Sequence, residues 1–183
     1  MRAFLAFEVA EAVTVRLLAA EQELKKTGAD VGIVGRENLH FTVRFLGDVP
    51  EEAAGEIDRR IQRLELRSME LSVKGIGVFP DLRRPRIVWA GVAAKDKPGI
   101  EGLSNEIIKV LDGIGKPVDH EFHAHITLGR VRSPRNGEAL ASYVRNNASL
   151  DFGTTKIAAL KLKSSVLTPT GPIYSDVREY VLH

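Results

Sequence analysis

Residues 39–46 read LHFTVRFL and residues 121–129 read EFHAHITLG. Each stretch alternates apolar and polar side chains, the pattern of a half-buried strand. The first is expected to set Leu39, Phe41, Val43 and Phe45 on one face and His40, Thr42 and Arg44 on the other. The second sets Phe122, Ala124, Ile126 and Leu128 against His123, His125 and Thr127. His40-Phe41-Thr42-Val43 and His125-Ile126-Thr127-Leu128 are the same four-residue pattern, His, apolar, Thr, apolar. Side chains two apart on a strand share a face, so each copy presents an imidazole beside a hydroxyl.

Working outward, a long helical pattern precedes each copy. Val13, Leu17, Leu18 and Leu24 mark a helix over 12–27, with Gly28 as its stop. Ile100, Leu103, Ile107, Val110, Leu111 and Ile114 mark another that starts near Pro98. Further strands are expected at 2–9, 68–79, 86–93, 155–166 and 173–182. Shorter helices are expected after Pro50 and after Pro134. Helices and strands are interspersed without strict βαβα order, which predicts an α+β fold. The repeated helix-then-motif arrangement predicts one domain over 1–183 built of two intertwined lobes, with one motif from each, at 40–43 and 125–128.

The chain has 183 residues, of which 44% are hydrophobic and 27% charged, the balance of a globular protein. Lys and Arg number 26 against 24 Asp and Glu, so bulk charge alone does not recruit a polyanion. The absence of cysteine excludes disulfide scaffolds, thiolate metal sites and a cysteine nucleophile. The opening MRAFLAFEVAEAV carries Glu8 and Glu11 within its apolar run, so it reads as a strand rather than a signal peptide and points to the cytoplasm. No feature demands an oligomer, and a monomer is expected.

Imidazole is the side chain that titrates nearest neutrality, and two facing imidazoles can act as general acid and general base in one displacement. Thr42 and Thr127 could hold phosphate oxygens, and Arg44 shares the face of His40. Arg130 follows the second motif through Gly129, where a bulge would re-aim it toward His125 and a bidentate phosphate contact. His120, His123 and His125 also allow a rival three-histidine metal site. Basic residues cluster at Arg83, Arg84 and Arg86, at Arg130, Arg132 and Arg135, and at Lys156, Lys161 and Lys163. Such clusters track an RNA backbone if they line one cleft, and otherwise solvate a surface. Phe79 and Tyr174 are candidate RNA contacts by stacking, whereas Trp89, inside an apolar strand, reads as core.

The paired motifs resemble the two-histidine (2H) phosphoesterase superfamily. RAFLAFEV, ENLHFTVRFLGDV, the GVFP and RIVWAGV pair, HAHITLGRVR and the closing TPTGPIYSDV resemble its RNA 2',3'-cyclic phosphodiesterase branch, historically called 2'-5' RNA ligases. The resemblance implies a bilobal fold with a central cleft, no metal or organic cofactor, and RNA ending in a 2',3'-cyclic phosphate as substrate, tRNA fragments included. It implies hydrolysis to a 2'-phosphate with His40 as proton donor and His125 as acceptor, and with Thr42, Thr127 and Arg130 on the phosphate. The motifs themselves leave the two proton roles open. Rival readings are 2'-5' ligation of tRNA halves at the same site and non-catalytic binding of RNA ends.

Overall fold

β1 (Arg2–Glu8) is apolar enough to be buried along its centre, and it pairs antiparallel with both β3 (His40–Asp48) and β8 (Ala159–Thr168). This arrangement comes from a computed structural model that describes every residue except Asp119 and Thr170. Thr170, within the closing TPTGPIYSDV stretch, lies outside the described residues. The other strands are β2 (Val31–Ile33), β4 (Met69–Phe79), β5 (Ile87–Val92), β6 (Ile126–Val131), β7 (Asp151–Ile157) and β9 (Gly171–Val181). They form one sheet in the order β7-β4-β5-β6-β3-β1-β8-β9, with β2 also on β6, and every pairing is antiparallel.

The fold is α+β, and its sheet divides at the β6–β3 contact into two halves of four strands, with β2 beside the first four. Among the described residues four α-helices cover one face: α1 (Glu11–Lys26), α2 (Ala53–Ile61), α3 (Lys97–Val110) and α4 (Gly137–Asn146). Their apolar stripes, such as Val13, Leu17, Ala20 and Leu24 on α1, merge with the inner faces of the strands into one core. The helices cross over. α1 follows β1 yet packs on β7, β2 and β6, and α3 follows β5 yet packs on β3.

Two sequence expectations change here. The strand expected at 155–166 is two strands broken at Ala158, and they lie in opposite halves: β7 pairs with β4, β8 with β1. The strand expected from 121 begins only at Ile126, so His123 and His125 stand on the extended approach to it.

A buried carboxyl ties α1 to the approach to β3. Glu21 is 1% exposed and accepts the Gly35 amide at 3.1 Å. Burial pushes it up to about 7. A carboxyl with a raised folded value loses stability as pH rises through 4.5 toward 7, because the unfolded chain ionises first. Glu21→Gln keeps the acceptor and removes this penalty. It is expected to be more stable than wild type by up to about 3 kcal/mol at alkaline pH, the gain vanishing at acid pH. Thermal unfolding at both pH values checks this, and an equal gain at both would refute it.

Candidate active site

The two motifs meet at one bridge, Phe41 to Ile126, between antiparallel strands. Both of these side chains are fully buried in the core. The residues flanking the bridge, His40 and Thr42 on one side and His125 and Thr127 on the other, therefore lie on the opposite face, away from the helices. That face is the cleft.

Each imidazole is anchored through the backbone just before it. His125 Nδ1 lies 2.7 Å from the His123 carbonyl, and the Glu37 carbonyl hydrogen-bonds the His40 ring. A carbonyl only accepts, so His125 Nδ1 carries the hydrogen and its Nε2 lone pair is left for the cleft. Aromatic rings brace both. Phe4 stacks on His40 with centroids 5.3 Å apart, and Phe79 meets His125 edge-on at 5.0 Å. Tyr174 crosses above Phe4 and His40, and its hydroxyl donates to Asn38 Oδ1 at 2.7 Å.

His40 is 9% exposed, and burial pushes its pKa down to about 4. The nearby Lys163 ammonium pushes the same way, and Glu8 opposes it. Burial also lowers His125, aided by charge on His123, His120 and Arg130 and opposed by its bond to the His123 carbonyl. A bound phosphate would reverse much of this, since its charge favours the protonated rings.

A bulge decides which side chains reach the cleft from β3. Arg44 pairs with Leu5 and Thr42 with Ala6, so Val43 is the extra residue and alternation reverses after it. Arg44, read as a neighbour of His40, instead turns into the core at 4% exposure and donates to the Ile108, Ile114 and Lys116 carbonyls. Phe45, read as core, is 62% exposed and packs against Phe4 on the cleft face. A matching shift lies in β6. Thr127 pairs with Trp89, Gly129 with Val88 and Arg130 with Ile87, so Leu128 is extra and Arg130 shares the face of Thr127. Its charge reaches both His125 and Tyr174.

Trp89, read as core, is half-buried on the cleft face and lies across Gly77, with Phe79 5.1 Å away. A Cβ at Gly77 would collide with the indole. Gly77→Ala is therefore expected to displace the ring and cost about 1–3 kcal/mol. Trp89 is the single tryptophan, so a shift in intrinsic fluorescence reports the displacement directly, and an unchanged spectrum would refute it.

The lysines divide as well. Lys161 and Lys163 face the cleft beside His40, but Glu8, Asp176 and Glu179 pair with them at 2.6–3.5 Å. Among the described residues, no three His, Asp or Glu side chains converge as a metal site would require, and His120, His123 and His125 do not assemble one.

A family model described as LigT like Phosphoesterase matches residues 7–89 and 94–174, one motif within each segment. The chain belongs to the LigT-like phosphoesterases. Among relatives of this phosphoesterase, the RNA 2',3'-cyclic phosphodiesterase of Archaeoglobus fulgidus is 36% identical over 180 residues, covering 98% of this chain and 99% of that one. The protein of the same name from Thermotoga maritima is 35% identical over 184 residues, covering 98% and 94%. A solved structure from Thermus thermophilus superposes with a TM-score of 0.80 at 26% identity, covering 100% and 98%. E. coli LigT complexed with 3'-AMP shares the fold, with a TM-score of 0.76 at 20% identity, covering 99% and 97%.

The sequence reading of this LigT-like phosphoesterase missed Phe4, Phe45, Asn38 and the carboxylates around Lys161 and Lys163.

Proposed function

We propose that this phosphoesterase hydrolyses RNA ends carrying a 2',3'-cyclic phosphate to 2'-phosphates, without a metal, using His40 and His125. The observation that carries this reading is the bridge between Phe41 and Ile126, which sets the two His-Thr pairs side by side on the cleft face. The names of its relatives supply the substrate class.

Water attacks phosphorus as the bond to the 3' oxygen breaks. His125 Nε2 takes the proton from water, a role that fits its anchored Nδ1. His40 gives a proton to the departing 3' oxygen. Thr42, Thr127 and Arg130 hold the non-bridging oxygens, whose charge grows in the transition state. Phe79, edge-on to His125, and Tyr174, crossing His40, are the rings on which a terminal base can rest.

The pH dependence follows with its sign. The free enzyme must carry a proton on His40 and none on His125. His40 is pushed down to about 4, so the fraction that carries the required proton falls as pH rises above that value. Lowering of His125 moves the opposite limb to lower pH. The expected profile is a bell centred on the acid side of the ordinary imidazole value of about 6.5. A profile flat through that range would refute the pairing of roles.

The deciding experiment incubates the protein and EDTA with a short RNA ending in a 2',3'-cyclic phosphate and identifies the product by chromatography. A 2'-phosphate is the expected result. A 3'-phosphate, or turnover only after zinc is added, overturns the reading.

A further inference from the structure

An RNA whose last phosphate is the reacting one leaves the cleft in one direction only. The sheet offers two ways out. β3 and β6 run antiparallel through their bridge, so the hairpins beside their C-terminal ends project in opposite directions. The β8–β9 turn stands beyond Arg2 and Asp48, where the β1–β3 ladder ends. The β4–β5 turn stands beyond the pair of Ile87 with Arg130.

The first exit attracts phosphate less. Its cleft-facing lysines, Lys161 and Lys163, are matched by Glu8, Asp176 and Glu179, which leaves Arg2, exposed and near enough for its charge to reach Tyr174. Its tip exposes Val166, Leu167 and Ile173 at 60–65%. The second exit is the reverse. Arg83, Arg84 and Arg86 are all exposed, and among the described residues none of them is paired with a carboxylate. The acid beside them, Asp81, is engaged by the turn itself: its Oδ1 accepts the amides of Arg83 at 2.8 Å and Arg84 at 3.1 Å. The Arg86 amide donates to the Phe79 carbonyl at 2.7 Å, closing the turn one residue past the ring that touches His125. The free cations therefore sit on a hydrogen-bonded turn that starts directly after the ring touching His125.

Resting on the hydrolase reading above, we infer that turn 80–86 is a second phosphate-binding site. Arg83, Arg84 and Arg86 hold backbone phosphates of the strand whose cyclic end lies between His40 and His125, and that strand leaves the cleft past β4–β5. An exposed guanidinium suits this task, since it is always charged and forks onto phosphate oxygens.

The test compares wild type with the triple variant Arg83→Ala, Arg84→Ala, Arg86→Ala. Two substrates are used, adenosine 2',3'-cyclic phosphate and an RNA of about eight nucleotides with the same end, at salt from roughly 50 to 200 mM. Wild type is expected to prefer the longer RNA, and salt to erode that preference. The variant is expected to keep its kcat/KM on the mononucleotide within about twofold and to lose about tenfold or more on the RNA. A variant that keeps the full preference, or a wild type that has none, overturns the inference. Binding of a fluorescent RNA of the same length ending in a 2'-phosphate is measured in parallel. If nothing is hydrolysed, the hydrolase reading fails while this arm still decides the turn. Weaker binding by the variant with a shallower salt slope, by about 0.7 per lost contact, supports the site, and equal binding removes it.

Discussion

His125→Ala is expected to lower the hydrolysis of a cyclic phosphate end by about a thousandfold, with His40→Ala close behind. A positioned general acid or base contributes roughly 10²–10⁴ in rate. The loss should fall on kcat. In the proposed mechanism Thr42, Thr127 and Arg130 bind the ground state and are untouched in these variants, so KM should move little. The double variant should be only slightly worse than either single one, because the two imidazoles act in one step and their effects do not add. The pH profiles separate the roles. The limb that rises with pH reports a base losing its proton, so His125→Ala should abolish that limb. The falling limb reports the acid, so His40→Ala should abolish that one. A His125→Ala enzyme within tenfold of wild type, or two variants with unaltered limbs, would sink the mechanism.

Arg44→Met is expected to be the most destabilising single change in this region, by about 3–5 kcal/mol. The guanidinium is buried and supplies donors to three carbonyls, those of Ile108 at 2.8 Å, Ile114 at 2.9 Å and Lys116 at 3.3 Å. These carbonyls belong to the end of α3 and the chain after it, where helix geometry provides no partner. Removing the donors leaves the buried Ile114 carbonyl and the part-buried Ile108 and Lys116 carbonyls unsatisfied, and that asymmetry sets the cost. For a chain of this size the melting point should fall by about 10 °C. Arg44→Lys should recover only part of the loss, since one ammonium cannot span three carbonyls. A chemical denaturation midpoint shifted by less than the equivalent of about 1 kcal/mol would show that the buried guanidinium is not what holds α3 to β3.

Particular residues show how much was legible in advance. The two His-x-Thr stretches, the helices of α1 and α3 and the strand of β1 were readable because their periodicity is local. Arg44 and Phe45 were misread because a bulge is fixed by the partner strand: nothing within 39–46 says that Val43 will be unpaired against β1. Trp89 was misread because its neighbours in sequence are apolar, while the glycine it rests on, Gly77, comes from another strand. Residues 155–166 read as one strand because their alternation hardly falters, yet Ala158 sends the halves to opposite parts of the sheet. The cationic clusters looked alike in sequence. Only the fold shows that Lys161 and Lys163 meet carboxylates and that, among the described residues, Arg83, Arg84 and Arg86 do not.

The place of β1 between β3 and β8 has a consequence for how the protein is made. Its β3 neighbour emerges from the ribosome early, but β8 and its partner β9 emerge last, after every helix. Until then one edge of a very apolar strand, Ala3 to Phe7, stays open to any other chain with a free strand edge. The nascent protein is most prone to misassociate during that interval. Slowing translation before β8 has emerged should therefore raise aggregation, and slowing it once β8 and β9 are out should not.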